Sequence, residues 1–144
     1  MKIVITGGCG FLGLGIARKL VERPDVDSLV LFDALVPDQL PDGLDGCVEM
    51  VGGDISERGQ VADLIDGDDI AVIHLASVVS AGAEQDFDLA MRVNLEGGRN
   101  VLEACRARDS VPKVVFASSL AVFGGEALPE TVTDGTRIIP RTTY

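Results

Sequence analysis

The 144-residue sequence predicts a doubly wound, parallel α/β sheet, and three observations carry that prediction. Short apolar runs alternate with stretches whose apolar residues recur at steps of three and four, the alternation that builds crossover connections with helices on both faces of a sheet. Four glycines, Gly7, Gly8, Gly10 and Gly13, fall between the first run and the first helical stretch. The second run ends on an acid, Asp33.

Taken in order, Lys2–Thr6 is a continuous apolar run of the kind a strand covered on both faces requires. Leu12, Ile16, Leu20 and Val21 set a helix over Phe11–Arg23, which Pro24 stops. Ser28–Phe32 forms a second strand leading into Asp33, and residues 34–46, with Pro37, Pro41, Gly43 and Gly46, form a loop. Val48–Val51 is a short third strand. Ser56 is placed to cap a helix over Glu57–Ile65, because its oxygen can satisfy free N–H groups of a first turn. Ile70–His74 is a fourth strand. The longest helix is expected from Ala83 to Ala107, where Phe87, Met91, Asn94, Leu95, Gly98, Val101, Leu102 and Cys105 recur at helical steps. Asn94 is polar on that apolar face. Lys113–Ala117 is a fifth strand that flows into Ser118 and Ser119, and beyond Gly124-Gly125 the chain becomes turn-rich. No internal repeat, linker or low-complexity segment interrupts this order.

At roughly 100–200 residues per domain, the length fits one domain over residues 1–144. A composition 47% hydrophobic against 24% charged can offset the entropy of ordering, which excludes a disordered chain. Twelve basic residues against 23 acidic ones leave a net charge of −11, the wrong sign for neutralising phosphates, so nucleic acid and anionic membrane are excluded as expected partners. No apolar run approaches a membrane span. The three cysteines, Cys9, Cys47 and Cys105, contain no C-x-x-C, and a reducing cytoplasm fits them. No metal site is read from the sequence.

The chemistry concentrates in Thr6-Gly-Gly-Cys-Gly-Phe-Leu-Gly13, directly after a strand and directly before a helix. A dinucleotide fingerprint needs that context: one glycine makes the tight turn, one lets backbone approach the pyrophosphate, and one lets helix pack on strand, with the diphosphate against the positive helix end. The spacing here is G-x-x-G-x-x-G, through Gly7, Gly10 and Gly13. A tight βα turn without a ligand would show the same glycines. Asp33, twenty positions after Gly13 at the end of the second strand, adds the acid that would accept hydrogen bonds from ribose hydroxyls. A carboxylate there would repel a 2′-phosphate and no arginine immediately follows it, so NAD is favoured over NADP as cofactor.

These residues resemble the extended short-chain dehydrogenase/reductases, the NAD-dependent epimerase/dehydratase family. The matching segments are Thr6–Gly13, Leu31–Asp33, Gly53–Ile55, His74–Ala76, Val93–Leu95, Phe116–Gly124 and Tyr144, spanning nearly the whole chain. The resemblance implies a Rossmann domain and gives residues roles. Gly7, Gly10, Phe11, Leu12 and Gly13 would hold the diphosphate; Asp54 and Ile55 would sit beside the adenine; Leu75, Ala76 and Ser77 would line the diphosphate and ribose; Ser118 would contact the nicotinamide ribose. Asn94 would hold the active-site backbone, and a structural hydrogen bond is the other reading for it. Ser119 would hydrogen-bond the reacting oxygen. Tyr144, the chain's one tyrosine and 25 residues after Ser119, would be the general acid/base beside the cofactor. His74, a single histidine in an apolar strand, reads as a packed core residue.

Within the family, Ala76–Ser80, Asp86–Asn94 and Ala121–Gly125 look most like the members that oxidise D-erythronate, a four-carbon sugar acid. That implies a cytoplasmic, NAD-dependent oxidoreductase of carbohydrate metabolism, working on a sugar acid as a homodimer. A nucleotide-sugar epimerase or dehydratase is the alternative enzyme, and a non-catalytic NAD-binding module the alternative of another class. Two departures stand out. The family's usual threonine is Gly98 here, and its lysine four residues after the tyrosine would lie past residue 144. The expectation is therefore an N-terminal fragment of a longer enzyme, lacking the substrate lobe and inactive alone.

Overall fold

The computed structural model describes residues 1–44, 46–124 and 129–141. Five strands, β1 (Lys2–Thr6), β2 (Ser28–Asp33), β3 (Val48–Gly52), β4 (Ile70–His74) and β5 (Lys113–Phe116), form one sheet in the order β3-β2-β1-β4-β5. Every pairing is parallel. The chain steps from β1 outward to β2 and β3, then returns across β1 to β4, so the order reverses between β1 and β4. In open parallel sheets that switch point leaves a crevice beyond the carboxyl ends of the strands. Thr6 stands opposite both Phe32 and His74, which brings the three strand ends level at that crevice.

Period-two alternation divides the strand residues between two cores. Val4, Val30, Phe32 and Val72 pack with Ile55, Val61, Leu64, Ile65, Val101 and Cys105 on one face, while Ile3, Ile5, Leu29 and Leu31 pack with Ala17, Val26 and Leu44 on the other. Both faces are covered, which is why the strands read as unbroken apolar runs rather than alternating ones.

The helices depart from the expected boundaries in three places. Helix α1 covers Phe11–Leu20 rather than reaching Arg23, because Pro24 has no N–H and its ring excludes the carbonyl of residue 20 from a continuing helix. Helix α2 covers Arg58–Leu64 with Glu57 at its N-cap and no side-chain cap, so Ser56 does not serve as one. Asp54 captures Ser56 instead: Oδ1 accepts from both the Ser56 N–H and its hydroxyl, each at 2.8 Å.

The long helix expected over Ala83–Ala107 is not continuous. Helix α3 (Ser80–Gln85) ends where Asp86 becomes extended, and Asp86 Oδ1 accepts the Leu89 N–H at 2.8 Å to cap α4 (Phe87–Ala90). A π-helical stretch, Met91–Gly97, follows and leads directly into α5 (Gly98–Arg106). Its wider turn moves the buried side of the helix to Ala90, Gly97, Gly98, Val101, Ala104 and Cys105. Phe87, Leu95 and Leu102, expected on the apolar face, are more than half exposed. Among the described residues no helix is long and apolar enough to cross a membrane.

Candidate functional site

Three backbone turns meet beyond the carboxyl ends of β1, β2 and β4, and the glycines set how closely. Gly7 adopts φ +68°, the left-handed region, and a Cβ on it would lie 2.9 Å from the Ala76 nitrogen. Gly13 has still less room, since a Cβ there would lie 2.4 Å from the Gly8 carbonyl oxygen, so α1 packs against the turn it leaves. Gly10 is different. Its Cβ position meets only the Gly7 carbonyl at 3.3 Å, and its side toward the crevice is open. Gly10 is also the N-cap of α1 and brings no side-chain cap, so the first-turn N–H groups of the helix are left for another partner.

One position crowded against the backbone of β1 and β2 is a glycine that the motif spacing passes over. A Cβ on Gly8 would lie 2.6 Å from the Ile5 carbonyl and 2.7 Å from Leu31 Cα, and the Gly8 N–H donates to the Phe32 carbonyl. Its adjacency to Gly7 was the signal available.

At the end of β2 the Asp33 carboxylate is fixed by backbone: Oδ2 accepts from the Cys9 N–H at 3.1 Å and Oδ1 from the Leu35 N–H at 3.2 Å. Asp54 follows β3, and the Ser56 N–H and hydroxyl hold its carboxyl below the usual carboxylate range. Ile55 is buried behind it against Gly97, where a Cβ would come within 2.7 Å of the Ile55 side chain. Leu75 leaves β4 with its N–H on the Thr6 carbonyl at 3.0 Å, and Ala76 follows with its N–H on the Thr6 hydroxyl at 3.3 Å. Ser77 is exposed next to them.

Asn94, midway along the π stretch, binds Val78 as a strand neighbour would: Oδ1 accepts the Val78 N–H at 2.8 Å and Nδ2 donates to the Val78 carbonyl at 3.0 Å. It thereby fixes the backbone that leaves β4. Ser119 Oγ accepts the Ala121 N–H at 3.2 Å and starts the 3-10 turn Leu120–Phe123, which leaves the hydroxyl proton to donate elsewhere. Ser118 is exposed beside it. Tyr144 lies outside the described residues.

These groups share one cleft of about 690 Å³. Gly7, Gly10, Phe11, Leu12 and Gly13 line it after β1, Asp33, Asp54 and Ile55 after β2 and β3, Leu75, Ala76 and Ser77 after β4, and Asn94, Ser118 and Ser119 from the π-helical stretch and the chain after β5. Thus every site residue expected from the sequence lines it, apart from Tyr144. Val78, Val79, Val93 and Val122 also line it. They fall inside the segments matched to the family, which gave them no role of their own. Among the described residues no lysine or arginine lines the cleft. A second hollow of about 440 Å³, between β3 and α2, contains none of the expected site residues. His74 is buried, its ring centroid 5.1 Å from that of Phe116, and burial pushes its pKa down, in line with a packed core histidine.

An open parallel sheet that reverses at β1, with a glycine turn and a free helix end facing a cleft there, defines the Rossmann class of nucleotide-binding folds. Within that class the chain belongs to the 3-beta hydroxysteroid dehydrogenase/isomerase family, whose model matches residues 4–143. The resemblance to the NAD-dependent epimerases and dehydratases is borne out. The chain is 44% identical to the D-erythronate dehydrogenase of Cupriavidus necator over 153 aligned positions, covering 100% of itself and 46% of that protein. It superposes on the nucleoside-diphosphate-sugar epimerase of Agrobacterium tumefaciens with a TM-score of 0.86 and 35% identity, over 99% of this chain and 44% of that one. The uronate dehydrogenase of the same organism, in a mutant form complexed with NAD, gives a TM-score of 0.70 and 27% identity over 84% of this chain and 42% of that one. The chain therefore spans a little under half the length of these three relatives.

Proposed function

We propose that this chain is the NAD-binding half of an oxidoreductase that takes hydride from a secondary alcohol of a sugar acid resembling D-erythronate. The observation that carries the proposal is the placement of three groups on one cleft: the open α1 terminus at Gly10, the Asp33 carboxylate, and the Ser119 hydroxyl. NAD, when bound, supplies the hydride acceptor. The residues present fit it, because the N–H groups at the start of α1 match a diphosphate and only hydrogen stands at Gly10 between them and the cleft. Asp33, held by the Cys9 and Leu35 amides, is placed to accept from ribose hydroxyls and to repel a 2′-phosphate. Asp54 and Ile55 flank the adenine end, while Ala76, Ser77 and Ser118 flank the ribose nearer the chemistry. Ser119 donates its free proton to the substrate oxygen. Tyr144 takes the proton of the alcohol, for which a phenol of reference pKa about 10 needs positive charge nearby.

The sugar-acid assignment rests on the likeness to D-erythronate dehydrogenase, which covers the whole of this chain. The superposition on the nucleoside-diphosphate-sugar epimerase favours a second reading, in which the cofactor is reused at each turnover. Accumulation of NADH with a free sugar acid separates the two.

Calorimetric titration tests the cofactor assignment. NAD is expected to bind more tightly than NADP, and Asp33→Ser to narrow the difference. Equal affinities in the parent would remove Asp33 from the ribose. A further expectation follows from the net charge of −11 and a cleft lined by no lysine or arginine among the described residues. Raising ionic strength from about 10 to about 150 mM shortens the screening length from roughly 30 to roughly 8 Å, so association of NADH should become faster. Stopped-flow NADH fluorescence measures this, and a slower rate in salt would place a cation at the mouth.

A further inference from the structure

His74 is the one histidine in the chain, 3% exposed, and stands opposite Thr6 in the β1–β4 register. Its Nδ1 lies 2.6 Å from Thr6 Oγ1, and the same oxygen accepts the Ala76 N–H at 3.3 Å. A hydroxyl has one proton to give. Were Nδ1 protonated, it would donate to Thr6, and the Thr6 proton would need a further acceptor at a fully buried site where the described residues provide none. The arrangement that satisfies every group has Thr6 donating to Nδ1. Burial keeps the ring neutral, so its own proton sits on Nε2.

Nε2 has no acceptor within hydrogen-bond distance among the described residues. It faces Gly98: a Cβ built there would lie 3.7 Å from Nε2 and 3.6 Å from Phe116 Cε2, the two nearest atoms from outside its own stretch of helix. His74, Phe116 and the Asn94 end of the π stretch all border the cleft. We infer that His74 is a positioning residue, fixed as the Nε2–H tautomer, whose Nε2–H holds one water molecule beside Gly98 and Phe116 where the ring borders the cleft. Through Thr6 the fixed tautomer keeps a hydroxyl oxygen turned to the Ala76 N–H, and so holds the exit of β4 against Gly7, where only hydrogen fits. This last role rests on the cleft being the NAD site. The hydrogen-bond arrangement does not.

Three measurements test it on the folded chain. Long-range ¹H–¹⁵N correlation of the one imidazole at pH 7 should show Nε2 protonated and Nδ1 bare; a protonated Nδ1 overturns the inference. Helix propensity alone ranks Gly98→Ala above Gly98→Ser in stability. The inference reverses that order, because a serine oxygen replaces the water at Nε2 while an alanine methyl expels it, and a urea midpoint for Ala at or above that for Ser overturns it. Thr6→Val, folded by far-UV dichroism, should lose about tenfold in NAD affinity, and Thr6→Ser should keep the parent value. If Val binds NAD as the parent does, the positioning role fails. If the parent binds no NAD, that role falls with the cofactor reading, while the tautomer and the Ser-over-Ala order still decide the rest.

Discussion

Gly8→Ala is expected to unfold the chain or come close to it. The added methyl would lie 2.6 Å from the Ile5 carbonyl, 2.7 Å from Leu31 Cα and 2.9 Å from Leu31 Cβ. Two of these are backbone atoms of neighbouring central strands, tied into the sheet by the β1–β2 ladder, so neither can move without breaking it. Overpacking of a core by one methyl commonly costs about 1–3 kcal/mol, and contact with immobile backbone places this case at or above the top of that range. Against a total stability of about 5–15 kcal/mol, such a loss is a large fraction. Gly10→Ala is the control, because its methyl meets only the Gly7 carbonyl at 3.3 Å. It should unfold at the parent's urea concentration yet lose at least tenfold in NAD affinity, since the methyl stands where the diphosphate approaches α1. Parent-like stability for Gly8→Ala would mean that the turn is looser than the distances state. Parent-like binding for Gly10→Ala would take the diphosphate away from the helix end.

The largest effect on turnover is expected at Tyr144 and Ser119, measured in a form of the protein long enough to match its relatives. Tyr144→Phe removes the proposed proton acceptor while leaving the ring, and should lower kcat by about 10²–10⁴-fold, the range for loss of a general acid/base. Ser119→Ala should lower it by roughly 10²-fold or more, because in the proposed reaction its hydroxyl proton faces charge that develops on the substrate oxygen. Both should bind NAD nearly as the parent does. Initial rates within a factor of two of the parent would remove both residues from the chemistry.

The strands were legible because each is a short apolar run bounded by turn residues, and the boundaries of β1 and β4 fell where the run begins and ends. Glycines and acids at strand ends were legible as a site for the same reason: their place beside a strand is written in the adjacent sequence. What was not legible depends on partners distant in the chain or on a choice between competing local ones. Nothing near Gly8 announces Leu31 as its neighbour, and nothing near Ser56 shows that Asp54 will outcompete a helix N-terminus for its hydroxyl. Asp86 lies within an unbroken helical pattern, and only its extended backbone reveals it as a cap. Phe87, Leu95 and Leu102 were assigned to the buried face by counting at the α-helical period across a stretch that does not keep that period.

That stretch, Met91–Gly97, also acts as an inserted residue. Relative to an uninterrupted α-helix, a π turn accommodates one residue more without lengthening the path, so the segments before and after it are out of phase by roughly one residue's rotation, about 100°. Deleting a residue on the exposed side, such as Glu96, would let the ladder close as an ordinary α-helix. Asn94 would then turn about the axis relative to α5 and give up both bonds to Val78. The fold accepts a less regular hydrogen-bond ladder there, and what it gains is the aim of one amide at the cleft. A sequence alignment across this family would accordingly place a gap at residues 91–97 in any member whose helix is regular, with the amide in that member supplied from a different helical position.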